Sequence, residues 1–216
     1  MDWWRVTEAQ TARNEQGSVR TRADERRERI LTAASRLFAE QGFHNTGIAQ
    51  IARESDVMVG QLYRDFASKQ DIIVAIVERD MQDFLPDDEL TDALAADDHP
   101  AIRNWITRFL SCPPEEGETD HRVIAEIIAE AARSDRVAGV VKRIHQSFRS
   151  QLSSALERLA PGEARARRRE MLVEVILTIS SGVFQRRVTF RDALPDDVIA
   201  VLAEGVQRRI DTLAAS

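Results

Sequence analysis

Residues 46–72 read TGIAQIARESDVMVGQLYRDFASKQDI, and their spacing leaves very few folds open. Ile48, Ile51 and Ala52 recur at helical intervals, and Leu62 and Phe66 do the same a few residues later. Ser55, Asp56 and Val57 lie between the two segments and leave room only for a turn. Two short helices joined this tightly form a helix-turn-helix, whose second helix enters the DNA major groove. The outward face of that helix is expected to carry Val59, Gly60, Tyr63 and Arg64. Gly60 lets the backbone approach a phosphate, Tyr63 supplies a hydroxyl, and Arg64 supplies a charge-assisted fork.

The pattern extends on both sides. It begins at Arg29-Ile30-Leu31, Ala33-Ala34, Leu37-Phe38 and Gln41-Gly42-Phe43. It continues through Thr46, Ile51-Ala52, Val57, Gly60, Leu62-Tyr63, Phe66 and Ser68-Lys69. In order and spacing these positions resemble the TetR/AcrR family of one-component transcriptional regulators. The resemblance covers about a quarter of the chain. It implies DNA contacts from Arg22, Thr46, Met58, Val59, Gly60, Gln61, Tyr63, Arg64 and Lys69, with Lys69 on a phosphate at a helix start. Four positions depart from the family: Asp56 replaces a usual Gly, Met58 a capping Ser, Val59 a Lys or Arg, and Asp65 a His or Asn. Asp56 and Asp65 are expected to sit near phosphates and weaken contact. Met58 and Val59 are suited to thymine methyl groups.

The charge balance fits a protein that shows DNA one end only. The chain is net −6, yet residues 13–36 hold seven Arg against four acids. A single cysteine, Cys112, excludes an intrachain disulfide and a multi-cysteine metal site, and packing is its expected role. The start of the chain has no apolar run, and no stretch is long and apolar enough to span a bilayer, so a reducing, cytoplasmic location is expected. The four histidines lack metal-ligand spacing. No glycine-rich phosphate loop and no nucleophile elbow is present, so no catalytic group, metal or cofactor is expected and the chain is not read as an enzyme.

Periodicity predicts an all-α chain of about nine helices. Residues 1–21 form a polar arm, 22–68 a DNA-binding head, and 69–216 a helical body. The expected helices are 24–41, one beginning after Thr46 or Gly47, 58–65, 69–84, 99–110, 120–133, 135–159, 163–188 and 196–213. Ser68 caps the fourth, and Gln50 is a weak capping-box partner for Gly47. An acidic connection fills 85–98. The Arg165–Arg169 run reads as an exposed face.

The last two helices are apolar on more than one side, which requires burial on two sides. In TetR-like proteins the equivalent helices pair as a dimer. Ile176, Ile179, Val183, Val198, Val201, Leu202 and Val206 are therefore the expected interface of a homodimer on a palindromic operator. The family body usually holds a small effector. Met81, Phe84, Trp105, Phe109, Ile124, Ile127, His145, Phe148 and Phe184 are the candidate lining, each with plain core as the alternative. The expected function is a transcriptional repressor that binds a double-stranded DNA operator as a homodimer and is released by a small apolar effector, with a multidrug efflux operon as one regulated target. Two alternatives stand beside it: an effector-independent regulator of the same fold, and a helical small-molecule-binding protein with a weakened head.

Overall fold

The computed structural model describes residues 21–82, 88–111, 121–190 and 194–215. Among these residues every regular element is helical. The head comprises α1 (Arg22–Gln41), α2 (Ile48–Glu54) and α3 (Val59–Asp65); α4 (Lys69–Gln82) leads out of it. The body comprises α5 (Asp88–Ala96), α6 (His99–Ser111), α7 (His121–Ala131), α8 (Asp135–Leu159), α9 (Ala166–Phe190) and α10 (Asp196–Ala215). The expected polar arm falls almost wholly outside the described residues, as do Cys112 and Phe84.

Local chemistry sets each boundary of the head. Thr21 opens α1 with a capping box: its hydroxyl accepts the Asp24 N–H, and the Asp24 carboxylate accepts the Thr21 N–H at 2.9 Å. Helix α1 therefore starts two residues before the expected Asp24. It ends at Gly42, whose φ of +85° suits a residue without Cβ and whose N–H bonds Phe38 O. Gly47 precedes α2 with no side-chain cap, so Gln50 forms no capping box there. Asp56 holds φ +54° in the turn, where Gly is usual. Val57 N–H returns to Ala52 O at 2.9 Å and closes the turn.

Two apolar cores organise the molecule. The first joins Ile30, Ala34, Leu37, Phe38, Ile51, Leu62 and Phe66 of the head to Ile72, Ile73 and Ile76 of α4 and to Val123, Ile127, Val137 and Val140 of α7 and α8. The second fills the body with Ile102, Trp105, Ile106, Leu152, Leu156, Leu172, Val173, Ile176, Val206 and Ile210. Side chains from the body thus share one core with the head. Ion pairs add to the join: Asp71 and Glu78 of α4 meet Arg136 and Arg143 of α8.

Three expectations need correction. The acidic connection over 85–98 contains α5, whose Leu90 and Ala93 are buried three residues apart. The segment 163–188 is a 3-10 turn, Glu163–Arg165, followed by α9. The Arg165–Arg169 run is not wholly exposed. Arg169 is buried and donates to the carbonyls of Ala160 and Gly162 at 2.9 and 2.8 Å, satisfying the end of α8.

Candidate nucleic-acid interface

Helix α3 has only seven residues and cannot be stable alone. Leu62, fully buried, anchors it in the first core. Its C-terminal end is fastened to α1 by Asp65. Arg26 donates to that carboxylate through Nε at 2.6 Å and Nη2 at 2.9 Å, a bidentate fork. Arg27 donates to Asp65 O at 3.1 Å and lies 4.4 Å over the Phe66 ring. The hydrogen bonds from Arg26 hold the Asp65 carboxyl below its ordinary value, against the opposing effect of burial. Asp65 therefore does not confront phosphates as expected; its charge is neutralised inside the head. Asp56 is fully exposed, with Arg29 Nη1 4.0 Å away.

The outward face of α3 is unencumbered. Met58 is 68% exposed and Tyr63 53% exposed; Val59, Gly60 and Arg64 are exposed and Gln61 half-buried. Met58 stands at the N-cap, and no side chain caps the helix there. A Cβ placed on Gly60 meets nothing within 4 Å, so no internal packing requires glycine. Arg64 Nε lies back toward Gly60 O at 3.4 Å. Arg22 is exposed at the start of α1.

Two residues expected on DNA point inward instead. Thr46 is 1% exposed, and its hydroxyl donates to Gly42 O at 2.9 Å and Leu37 O at 3.4 Å. That hydroxyl is satisfied within the head. Lys69 places its ammonium against three carbonyls, those of Phe43 (2.5 Å), Thr46 (2.9 Å) and His44 (3.4 Å). It also sits 4.4 Å over the Phe43 ring. Burial pulls its pKa below the usual lysine value, and the charge of Glu130 works the other way. Lys69 ties the α1–α2 loop to the start of α4, where the resemblance implied a phosphate contact.

The family of bacterial regulatory proteins designated tetR matches residues 30–76, the segment that builds this face. HbdR, an HTH-type transcriptional regulator of Aromatoleum, is 32% identical over 113 residues, which are 52% of this chain and 48% of that protein. UidR of Escherichia coli is 28% identical over 135 residues, 61% of this chain and 64% of that protein. The chain thus spans about half to two thirds of the length of the curated relatives it matches. A TetR transcription regulator of Haloarcula marismortui superposes with a TM-score of 0.67 at 19% identity, covering 87% of this chain and 97% of that one. Residues 30–76 are thus those of a tetR-family DNA-binding segment, and the chain as a whole shares the fold of TetR regulators.

The TetR-like body places the remaining candidates in different surroundings. Trp105 stacks on Phe109 with centroids 5.5 Å apart, and Phe109 meets Phe148 edge-on at 5.4 Å. These three come together in the second core. Phe184 is half-buried with Arg187 5.9 Å from its ring. Ile127 belongs to the first core, with Ile124 half-buried one turn away, while His145 is exposed. Met81 lies in α4, but its side chain is outside the described part of the molecule. An open groove of about 590 Å³ lies elsewhere, between α1 and the turn of the head, among Glu25, Glu28, Arg29, Arg36, Glu54 and Asp56.

Among the expected dimer residues, Ile176 and Val206 are buried in the protomer's own second core, so they are core residues and not interface. Val183 is also largely covered, and Ile179 and Leu202 are half-buried. Val198 and Val201 are exposed, as are Met171, Val175 and Phe190, which lie outside the expected set. Periodicity showed that α9 and α10 have two apolar sides but not which side faces inward.

Sequence reasoning also missed Arg26, Glu126 and Glu130. Glu126 and Glu130 are spaced by one turn on the helical face that buries Val123 and Ile127, and acids interleaved with an apolar stripe were the available signal. Among the described residues no helix is long and apolar enough to cross a membrane.

Proposed function

We propose that this chain is a cytoplasmic DNA-binding transcriptional regulator that grips a palindromic operator as a homodimer. The observation that carries the reading is the outward face of α3. Met58, Val59, Gly60, Gln61, Tyr63 and Arg64 line it, and packing requires none of the most exposed ones there. The Arg26–Asp65 fork aims that face by holding the helix on α1. Tyr63 and Arg64 serve the phosphates or base edges. Met58 and Val59 read thymine methyl groups. In support, Met58 occupies a capping position at which a polar residue stabilises the helix by about 1 kcal/mol. Exposed Met171, Val175, Val198 and Val201 on α9 and α10 supply the dimer face. Two copies then set half-sites about 34–36 Å apart.

The regulator is a repressor released by a small apolar effector bound in the body, with an efflux operon as the target class. Trp105, Phe109 and Phe148 are the aromatic wall available to such a guest. The packing of the same three rings on one another also favours a second reading, an effector-independent regulator whose body is solid core.

The test is selection of duplexes from a random pool by the full chain, followed by binding at two salt concentrations with a panel of hydrophobic compounds. Enrichment of an inverted repeat with salt-sensitive affinity supports the regulator. Release by some compounds supports the effector, and release by none supports the second reading. A pool that never enriches refutes both.

A further inference from the structure

Helix α7 of the body sends two carboxylates into the head. Glu126 Oε2 accepts the Phe43 N–H at 2.8 Å, across 83 residues of sequence. The same carboxylate lies 3.5 Å from the place a Cβ on Gly42 would occupy, an ordinary packing distance, so it is the φ of +85° and not the space that calls for glycine there. One turn further, Glu130 is only 4% exposed, and its Oε2 lacks a hydrogen-bond partner. The imidazole Nε2 of His44 lies 3.5 Å from that oxygen. The Lys69 ammonium, within electrostatic reach of Glu130, holds the carbonyls of Phe43, His44 and Thr46.

Residues 43–46 are therefore gripped from two directions. Lys69 pulls on their carbonyls from the start of α4, and Glu126 and Glu130 approach their N–H and imidazole groups from α7. Helix α2 begins two residues later, at Ile48, and α3 is tied back to α1 by Arg26 and Asp65. These contacts tie the helix-turn-helix to this loop. Val123 and Ile127 provide apolar adhesion between α7 and the head, but apolar contact is non-directional. The Glu126 hydrogen bond is directional.

We infer that Glu126 and Glu130 are positioning residues for DNA binding, a carboxylate latch through which α7 sets the orientation of the head. The inference rests on the DNA-binding reading above. A displacement of α7 must either break the Glu126–Phe43 bond or draw the α1–α2 loop, and with it α2, along. The device is built from this chain's own acids on an otherwise apolar helix face, and neither carboxylate needs to touch DNA.

The experiment compares Glu126→Met, which keeps length and removes the acceptor, with Glu126→Gln, whose amide oxygen still accepts, and with Glu130→Gln. Spin labels are placed at the exposed positions Arg53 and Gln146 in a Cys112→Ser background, diluted with unlabelled protein so that only distances within one chain are read. Glu126→Met is expected to speed exchange of the Phe43 amide at least tenfold and to broaden the head-to-body distance. It is also expected to weaken binding to the selected duplex about tenfold at an unchanged salt slope. Glu126→Gln restores most of each. Wild-type distances and affinity together with fast Phe43 exchange would reduce the contact to a local structural bond and overturn the inference. Should the wild-type chain select no duplex, the DNA-binding reading fails, and exchange with label distances still judges the latch. Should Glu126→Met fail to fold, Glu130→Gln decides: unchanged distances refute it and broadened ones support it.

Discussion

Gly60→Ala separates what the fold needs from what the operator needs. Gly60 is the second residue of α3, and a Cβ there meets no neighbouring atom within 4 Å. Inside the protein, alanine removes the excess backbone entropy of glycine at no steric cost. Helix propensity places that gain at about 0.5–1 kcal/mol. For a chain of 216 residues this raises the melting temperature by about 1–4 °C. On DNA the sign reverses. If the backbone at Gly60 approaches a phosphate closely, the added methyl pushes the helix out of the groove. A tenfold weakening, worth about 1.4 kcal/mol, is the expected minimum. Urea unfolding and titration of the selected duplex measure the two effects on one preparation. Stability up and affinity down is the signature of a glycine kept for an external partner. Affinity equal to wild type would show that the backbone never comes close and that the α3 face is oriented wrongly. A drop in stability would show that glycine serves the fold.

Other perturbations test the inward assignments. Thr46→Val, which leaves the Gly42 carbonyl without its hydroxyl donor, is expected to cost about 1–2 kcal/mol in thermal unfolding while folded protein keeps its operator affinity. Lys69→Met is expected to destabilise the head without changing the slope of log affinity against log salt. A slope shallower by about 0.9 would put Lys69 on a phosphate after all. Because the folded-state pKa of Asp65 lies below the ordinary 3.8, its ion pair stabilises fully above that value, and the stabilisation is lost as acid titrates the carboxylate beneath it. Asp65→Asn should therefore lower stability at neutral pH and flatten the acid limb of the stability profile. Identical acid limbs would rule out the pair as a contributor. Replacing thymine by deoxyuridine in the selected half-site is expected to weaken wild-type binding and to leave Met58→Ser less affected, read by competition titration.

The helix-turn-helix was legible because its determinants are local. Leu62 and Phe66 at i and i+4 and Gly42 at a helix end act within a turn or two of themselves. Side-chain direction was not local. Thr46 and Lys69 occupy positions that face DNA by resemblance, yet they satisfy carbonyls brought together only by the fold. Asp65 read as a repulsive charge because its partner Arg26 lies 39 residues earlier. Ile176 and Val201 both stood on apolar faces, and periodicity could not say that one is buried within the protomer and the other exposed. Helix α5 escaped because acids surround the few apolar residues, Leu90, Ala93 and Leu94, that dock it.

The division of labour on α3 has an engineering corollary. Leu62, Asp65 and the neighbouring Phe66 are committed to the head, and positions 58–61, 63 and 64 are largely released from it. Six letters of the sequence can then be rewritten with little consequence for assembly of the scaffold. Transplanting those six from another tetR-type regulator should carry that protein's sequence preference onto this scaffold.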